Sequence, residues 1–203
     1  MRTILFAGHR LDAGDRPVPR FPAEMEAVAG QAICDAVAGI MRSHRDEHAR
    51  GMAGGASGGD ILFHEACASL HIPTQLYLPM QQDAFVLESV APAGREWVRR
   101  FRALVARVPV VLHGEGMASA DTSDGDAQNV WELNNRWLLD QALTDGAHNL
   151  TVLVLWDGQM GDGPGGTGDL VHAAAQAGAE IVVLDADALR PPTRGDDHRG
   201  GRL

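Results

Sequence analysis

The stretch Leu150-Thr151-Val152-Leu153-Val154-Leu155-Trp156 decides the fold. Six of its seven residues are apolar. A strand with this composition needs cover on both faces, which is typical of a parallel sheet between layers of helices. A glycine-rich segment, residues 158–168, follows directly, and the small residues 171–177 after it have helical spacing. The sequence therefore predicts a strand, a glycine loop and a helix in succession.

The same succession recurs towards the N-terminus. Residues 3–7 are mostly apolar and end at Gly8, and a predicted strand at 51–53 precedes a second glycine cluster and a helix over 60–70. Further strands are predicted at 74–78, 110–112 and 181–184, and a polar loop at 114–127 precedes an amphipathic helix over 130–142. Strands that alternate with helices predict an α/β protein with a modified Rossmann-like parallel sheet flanked by helices. We expect one domain over residues 1–189 and a flexible tail over 190–203.

Composition excludes several function classes. The 17 cationic residues are all arginine, so neither a Walker-A phosphate loop nor a Schiff-base lysine is present. The net charge of −10 argues against nonspecific nucleic-acid binding. Cys34 and Cys67 form no CxxC pair and predict buried thiols. The apolar runs are too short for a signal peptide or a membrane span, so a cytoplasmic location is the expectation.

Two glycine clusters are the candidate binding loops. Glycine lets the backbone approach an anion closely, and the N-terminus of the following helix carries partial positive charge. A phosphate is therefore the ligand that this arrangement favours. The alternative is a tight turn that binds no ligand. Neither cluster has the GxGxxG spacing of a dinucleotide fingerprint. The clusters comprise Gly54, Gly55, Ala56, Ser57, Gly58, Gly59 and Asp60, and Gly163, Pro164, Gly165, Gly166, Thr167 and Gly168.

Other candidates stand beside these loops. His9 and Arg10 follow the first strand, where arginine suits a bidentate phosphate contact. Asp60 can bind a ribose hydroxyl or complement the helix dipole, and Thr167 can donate to a phosphate or cap its helix; the sequence leaves both pairs open. Trp156 is a stacking candidate at the end of its strand, whereas Trp131 is interpreted as core.

Both clusters carry a family resemblance. Gly54-x-Ala56-x-Gly58-x-Asp60-x-x-Phe63-His64 resembles the motif of the DNA-processing protein A (Smf) family. The segment from Pro164 to His172, PGGTGDLVH, is similar to the PGGxGTxxE motif of the "lonely guy" phosphoribohydrolases. Both families belong to the SLOG superfamily of Rossmann-like nucleotide binders. By order of elements, the resemblance covers residues 3–185.

This resemblance implies a nucleotide or nucleotide-derived ligand, such as an ADP-ribose-like molecule or a cyclic nucleotide. Asp169 and His172 stand where the hydrolases have threonine and glutamate. The leading hypothesis is therefore a sensor or recognition domain. The alternative is an N-glycosidase in which Asp169 or Glu132 supplies the carboxylate and Arg136 a phosphate or base contact. The resemblance also implies a homodimer, and no cofactor or metal is predicted.

Overall fold

The computed structural model describes residues 1–12, 16–44, 48–113, 124–159 and 166–190, with the backbone alone for 124–129. The described residues form one sheet of six parallel strands in the order β4-β3-β2-β1-β5-β6. This confirms the predicted α/β class. The strands are β1 (Arg2–Gly8), β2 (Ala49–Ala53), β3 (Thr74–Leu78), β4 (Val110–Leu112), β5 (Leu150–Trp156) and β6 (Glu180–Asp185).

Helices connect the strands, and two of them begin earlier than the sequence predicts. The helices are α1 (Glu26–His44), α2 (Gly59–Ser69), α3 (Gln82–Phe85), α4 (Arg95–Val105), α5 (Asp124–Ala142) and α6 (Thr167–Gln176). The start of α5 lies inside the predicted loop 114–127, and α6 starts before the apolar residues that marked it. An apolar stripe marks only the packed part of a helix, and Asp169 in the first turn of α6 suits the helix dipole.

The core divides according to the two-residue period of the strands. Ile4 and Phe6 of β1 belong to the hydrophobic cluster shared with α1, α2 and α4. Leu5, between them, belongs to the other cluster, together with Leu138 of α5 and Leu170 of α6. Strands such as β1 and β5 therefore face helices on both sides, which is why their sequences are apolar throughout.

The chain reverses direction across the sheet at β1. From β1 the strands proceed outward to β4 on one side, and the chain then returns to place β5 on the other side of β1. Ligands of open α/β sheets bind at the carboxyl ends of the strands where the order reverses in this way. Gly8 ends β1, the loop 54–58 follows β2, and Gly166 precedes α6. The fold thus brings the glycine-containing segments that follow β1, β2 and β5 to one crevice.

Some predictions fall on residues that the structure does not describe: Gly163, Pro164, Gly165 and the tail beyond Arg190. Of the two unpaired cysteines, Cys67 is buried and Cys34 half-buried, and burial raises the pKa of the Cys67 thiol to about 12. Among the described helices, none combines the length and apolar character needed to traverse a lipid bilayer.

Candidate functional site

A cavity of about 420 Å³ lies at the crevice. This volume is within the range of small-molecule binding sites. The end of β1, the first glycine loop, α5 and the start of α6 contribute to the wall, along with residues from β3 and from the segment after it. The lining residues are Phe6, Ala7, Gly8, Arg10, Gly54, Ala56, Asp60, Tyr77, Phe85, Ser89, Trp131, Asn134, Asn135, Leu138, Gly166 and Thr167.

Residues from both predicted binding loops share this wall. Arg10 joins them from the segment after β1. The sequence-predicted candidates on the wall are Gly8, Arg10, Gly54, Ala56, Asp60, Gly166 and Thr167. The described residues of two glycine loops that lie far apart in the chain therefore face one space.

The other residues of the first glycine loop lie behind the wall and serve close packing. A Cβ at Gly55 would lie 2.8 Å from the Phe101 ring, and a Cβ at Gly59 would lie 3.0 Å from the Phe6 ring. Gly58 has a φ of +104°, and a Cβ there would lie 2.7 Å from the backbone nitrogen of Leu11. Ser57 is buried. These positions are small because the segment after β1 and the core press against them.

The backbone amides of the first loop bond within the protein. The N–H of Ala56 donates to Oδ2 of Asp60 (3.1 Å). The N–H of Ser57 donates to the Ser89 carbonyl (2.9 Å), and that of Gly59 to the His9 carbonyl (3.2 Å). The sequence predicts that N–H groups of this loop bind a phosphate. In the structure, these three N–H groups instead form hydrogen bonds that hold the conformation of the loop. The first glycine loop is thus a rigid wall of the cavity.

The N-terminus of α6 is the better anion position. Gly166 is the residue before the helix and Thr167 is its first residue, so Thr167 does not cap it. Gly166 has no side chain to serve as a cap. Both residues lie on the cavity wall, where the helix N-terminus contributes partial positive charge. Arg10 adds a full positive charge to the same wall.

Asp60 is the acidic residue among the described residues of the wall. Burial raises the pKa of its carboxyl to about 7, and the hydrogen bond from the Ala56 N–H opposes this shift. A Cβ at Gly54 would lie 2.6 Å from Oδ2 of Asp60, so glycine at 54 gives the carboxyl its room. Near neutral pH this group can therefore either donate or accept a hydrogen bond.

Asn134 is a polar residue of the wall that sequence reasoning missed. The residue is 6% exposed, and Oδ1 is buried without a hydrogen-bond partner among the described residues. Trp131, Asn135 and Leu138 line the cavity from the same face of α5, at the spacing that a helix face requires. An asparagine pair inside a helix was a usable signal, because asparagine is a poor helix former.

Aromatic rings form the apolar part of the wall. Phe6, Tyr77, Phe85 and Trp131 line the cavity, and the Phe85 and Trp131 rings are 6.1 Å apart, centroid to centroid. Trp131 was interpreted as core, and it does pack against the core from its half-buried position. Trp156 does not line the cavity, and its indole N–H donates to the Gln159 carbonyl (2.7 Å). Trp131 therefore replaces Trp156 as the stacking candidate.

The residues suggested for glycosidase chemistry lie elsewhere. Glu132 and Arg136 are exposed on α5, and Asp169 is exposed on α6, and none of the three lines the cavity. Gly168 is buried beside Asp169 in the same helix. His172, at the position of the hydrolase glutamate, is exposed and contacts Gln176. Among the described residues of the wall, the carboxyl group belongs to Asp60.

Two histidines near the loops have structural partners. Nε2 of His64 donates to the Gly54 carbonyl (3.0 Å), so Nδ1 accepts from the Thr74 hydroxyl (2.8 Å). Burial lowers the pKa of His64 to about 4, and the ring is neutral. Burial also lowers the pKa of His9, against the effect of Asp157, whose backbone N–H donates to the His9 ring (3.2 Å). The two hydrogen bonds of the His64 ring, to Gly54 and to Thr74, join the first glycine loop to β3.

Comparisons with known proteins add no family. No protein-family model matches the chain, and no curated protein matches it either. Within the described ranges, histidine, cysteine and acidic side chains form no group that could hold a metal ion.

Proposed function

We propose that the cavity binds a nucleotide or a nucleotide-derived molecule, and that the protein serves as a recognition or sensor domain for it. One observation carries this proposal: a single cavity combines aromatic walls and a buried, unpartnered asparagine oxygen with a helix N-terminus and an arginine. Aromatic rings suit a base, and the cationic groups suit a phosphate. The proposal agrees with the resemblance to the SLOG superfamily.

The chemistry of the wall suggests how such a ligand lies. The base would lie among the rings of Tyr77, Phe85 and Trp131. Oδ1 of Asn134 would accept a hydrogen bond from a donor on the edge of the base. The phosphate would lie at the start of α6 and near Arg10. Asp60 would face the ribose hydroxyls. A helix N-terminus and one arginine can hold a phosphate without a lysine.

Isothermal titration calorimetry against nucleoside monophosphates of the four bases, cyclic mononucleotides and ADP-ribose tests this proposal. We expect at least one of them to bind with a dissociation constant in the micromolar range, which corresponds to a standard free energy of binding of about −8 kcal/mol. Absence of binding by every member of the panel at millimolar concentration would overturn it.

Replacing Asn134 by leucine separates binding from folding. The substitution removes a buried oxygen without a partner, so the free energy of unfolding should stay the same or rise by about 1 kcal/mol. The affinity for the nucleotide should fall about tenfold or more, because the ligand loses its hydrogen bond in the cavity. Calorimetry and urea denaturation measure the two effects. Glu132→Gln, exposed on the same helix, is the control and should change neither. Unaltered affinity in the Asn134 variant would remove this residue from the site.

A second candidate function, cleavage of the N-glycosidic bond, is favoured by Asp60 alone. A carboxyl group with a pKa of about 7 on a cavity wall can act as a general acid. In the hydrolysis, the bond between C1′ and the base nitrogen breaks as Asp60 supplies a proton to the departing base. Water forms the new bond to C1′, and the Asp60 carboxylate takes up the proton that this water releases. Free base detected by chromatography, lost in Asp60→Asn and kept in Asp169→Asn, would establish an enzyme. Failure to release base would leave the recognition function.

A further inference from the structure

Ser89 is a buried polar residue of the cavity wall. It is 1% exposed, and it lines the cavity. Its carbonyl oxygen accepts the Ser57 N–H (2.9 Å), which joins its backbone to the first glycine loop. Its hydroxyl forms no hydrogen bond with the residues that the structure describes. Because buried polar groups of native proteins are nearly always hydrogen-bonded, a hydroxyl of this kind on a cavity wall indicates a ligand contact.

Serine hydroxyls on other helices of this protein are occupied locally. The hydroxyl of Ser43 on α1 donates to the Ile40 carbonyl (3.0 Å), and that of Ser69 on α2 donates to the Ala66 carbonyl (2.7 Å). Such a bond to the preceding turn is the ordinary way in which a helical serine satisfies its hydroxyl. Ser89 does not form it, so its hydroxyl proton remains for an acceptor in the cavity.

Ser89 and Asn134 hold similar positions relative to two aromatic rings. Ser89 lies four residues after Phe85 in the helical segment 82–90, and Asn134 lies three residues after Trp131 on α5. All four residues line the cavity, and the centroids of the Phe85 and Trp131 rings are 6.1 Å apart. Each helical element therefore supplies one ring and, about one turn later, one buried polar group. Both polar groups border the aromatic part of the wall, where the base is proposed to lie.

The two polar groups require different partners on the base. Oδ1 of Asn134 can only accept a hydrogen bond, whereas the Ser89 hydroxyl can donate one. Adenine and guanine both have a donor on the six-membered ring and the acceptor N7 on the five-membered ring. Cytosine and uracil have their donors and acceptors on one continuous edge, and the C5 side is apolar. Two contacts from separate helical elements therefore fit a purine better, and the larger purine also covers more of the aromatic wall.

We propose that the site selects purine over pyrimidine nucleotides and that Ser89 is a specificity-determining residue. Its hydroxyl donates to N7 of the base, while Oδ1 of Asn134 accepts from a donor on the six-membered ring. This inference rests on the proposed function and narrows its ligand to a purine nucleotide. Both contacts are made to the base, so the selectivity is independent of the phosphate.

Calorimetric titrations with AMP, GMP, CMP and UMP, and with 7-deaza-AMP and 7-deaza-GMP, test the inference. In the deaza analogues a C–H group replaces N7, so the acceptor for Ser89 is lost. The better purine monophosphate should bind about tenfold more tightly than either pyrimidine monophosphate. Its 7-deaza analogue should bind the wild-type protein about three- to tenfold more weakly than the parent, which is the effect of one neutral hydrogen bond.

Ser89→Ala shows whether this loss belongs to the Ser89 hydroxyl. The variant should bind the parent purine about three- to tenfold more weakly than the wild type does, and it should bind the parent and the 7-deaza analogue within about twofold of each other. Its affinity for CMP and UMP should stay within about twofold of the wild-type value. The midpoint of urea denaturation should not change, since the hydroxyl has no described partner in the free protein. Ser69→Ala, which removes an exposed hydroxyl away from the cavity wall, is the matched control and should bind every nucleotide as the wild type does.

The outcomes separate the two proposals. Equal affinities for purines and pyrimidines, a preference for a pyrimidine, or a 7-deaza analogue that binds the wild-type protein as tightly as its parent would overturn this inference and leave nucleotide binding in place. An equal loss for the 7-deaza analogue in the wild type and in Ser89→Ala would also overturn it, because N7 would then have another partner. Failure of AMP, GMP, CMP and UMP to bind would count against the proposed function as well. The analogue titrations of the wild type need no variant, so the inference is tested even if Ser89→Ala does not fold.

Discussion

Gly58→Ala should destabilise the protein by about 3–5 kcal/mol, enough to remove much of the stability of a single domain. Gly58 has a φ of +104°, which L side chains rarely adopt. A Cβ there would also lie 2.7 Å from the backbone nitrogen of Leu11 and 3.0 Å from the carbonyl oxygen of His9. Neither backbone atom can move without breaking the hydrogen bonds that join the segment after β1 to the first glycine loop.

Gly94 provides the matched control for this substitution. It has the same φ of +104°, but a Cβ there would meet nothing within 4 Å. Gly94→Ala should therefore show the backbone strain alone, about 1–2 kcal/mol. Urea denaturation of both variants measures the difference. If the two alanines destabilise the protein equally, the close approach between the glycine loop and the segment after β1 is not as the structure describes.

Asp60→Asn should stabilise the protein by roughly 2–3 kcal/mol more at pH 8 than at pH 5. The pKa of Asp60 is raised from 3.8 to about 7, so between these values the folded protein keeps a proton that the unfolded chain has released. The contribution of Asp60 to stability therefore falls as pH rises from about 4 to about 7 and is constant above that. Asparagine does not ionise, and its side-chain oxygen can still accept the Ala56 N–H.

Urea denaturation at the two pH values measures this effect. Asp140→Asn, exposed on α5, is the control and should show no such pH dependence. A difference between wild type and Asp60→Asn that is the same at pH 5 and pH 8 would show that Asp60 is ionised throughout. An ionised Asp60 could not donate a hydrogen bond to a ligand, and it could not act as the general acid of the proposed glycosidase reaction.

Much of the fold could be predicted because each strand is a local pattern. The apolar runs around Val152 and Leu76 mark buried strands without reference to the rest of the chain. The order of the strands depends on long-range pairing, such as Gly8 opposite Leu155, which periodicity does not encode. The helix starts at Asp124 and Thr167 were missed for a related reason, since residues 124–126 and 167–169 include no apolar side chain that could mark a buried helix face.

The part of the candidate site that the two glycine loops form could be predicted from the sequence. Gly54 and Thr167 lie on one wall because carboxyl ends of parallel strands share an edge. Which amides stay available could not be predicted, because the Ser57 N–H is taken by Ser89, a residue far along the chain. Tyr77 was missed because a tyrosine in a largely apolar strand resembles an ordinary core residue. Asn134 was missed because the packing of α5 over the strand ends, which places this side chain on the cavity wall, cannot be predicted from the local sequence.

The absence of lysine acquires a structural meaning from this arrangement. Arginine, fixed by backbone contacts and planar in shape, is the cation at the cavity, and Arg10 is anchored to Glu88 in a way that leaves its charge unneutralised by the described acidic residues. The other contribution to anion binding is the N-terminus of α6. Much of the net negative charge lies on solvent-facing residues such as Glu132 and Asp140.

The binding of a nucleotide in the cavity is tested most directly by ¹H–¹⁵N spectra recorded during titration with AMP, GMP, CMP, UMP and ADP. The indole N–H of Trp131 and the side-chain amide of Asn134 should shift and saturate together with at least one of these nucleotides. The indole N–H of Trp97, buried on α4 and absent from the cavity wall, should not shift. Shifts confined to other regions, or none at millimolar nucleotide, would contradict a nucleotide site between the glycine loops.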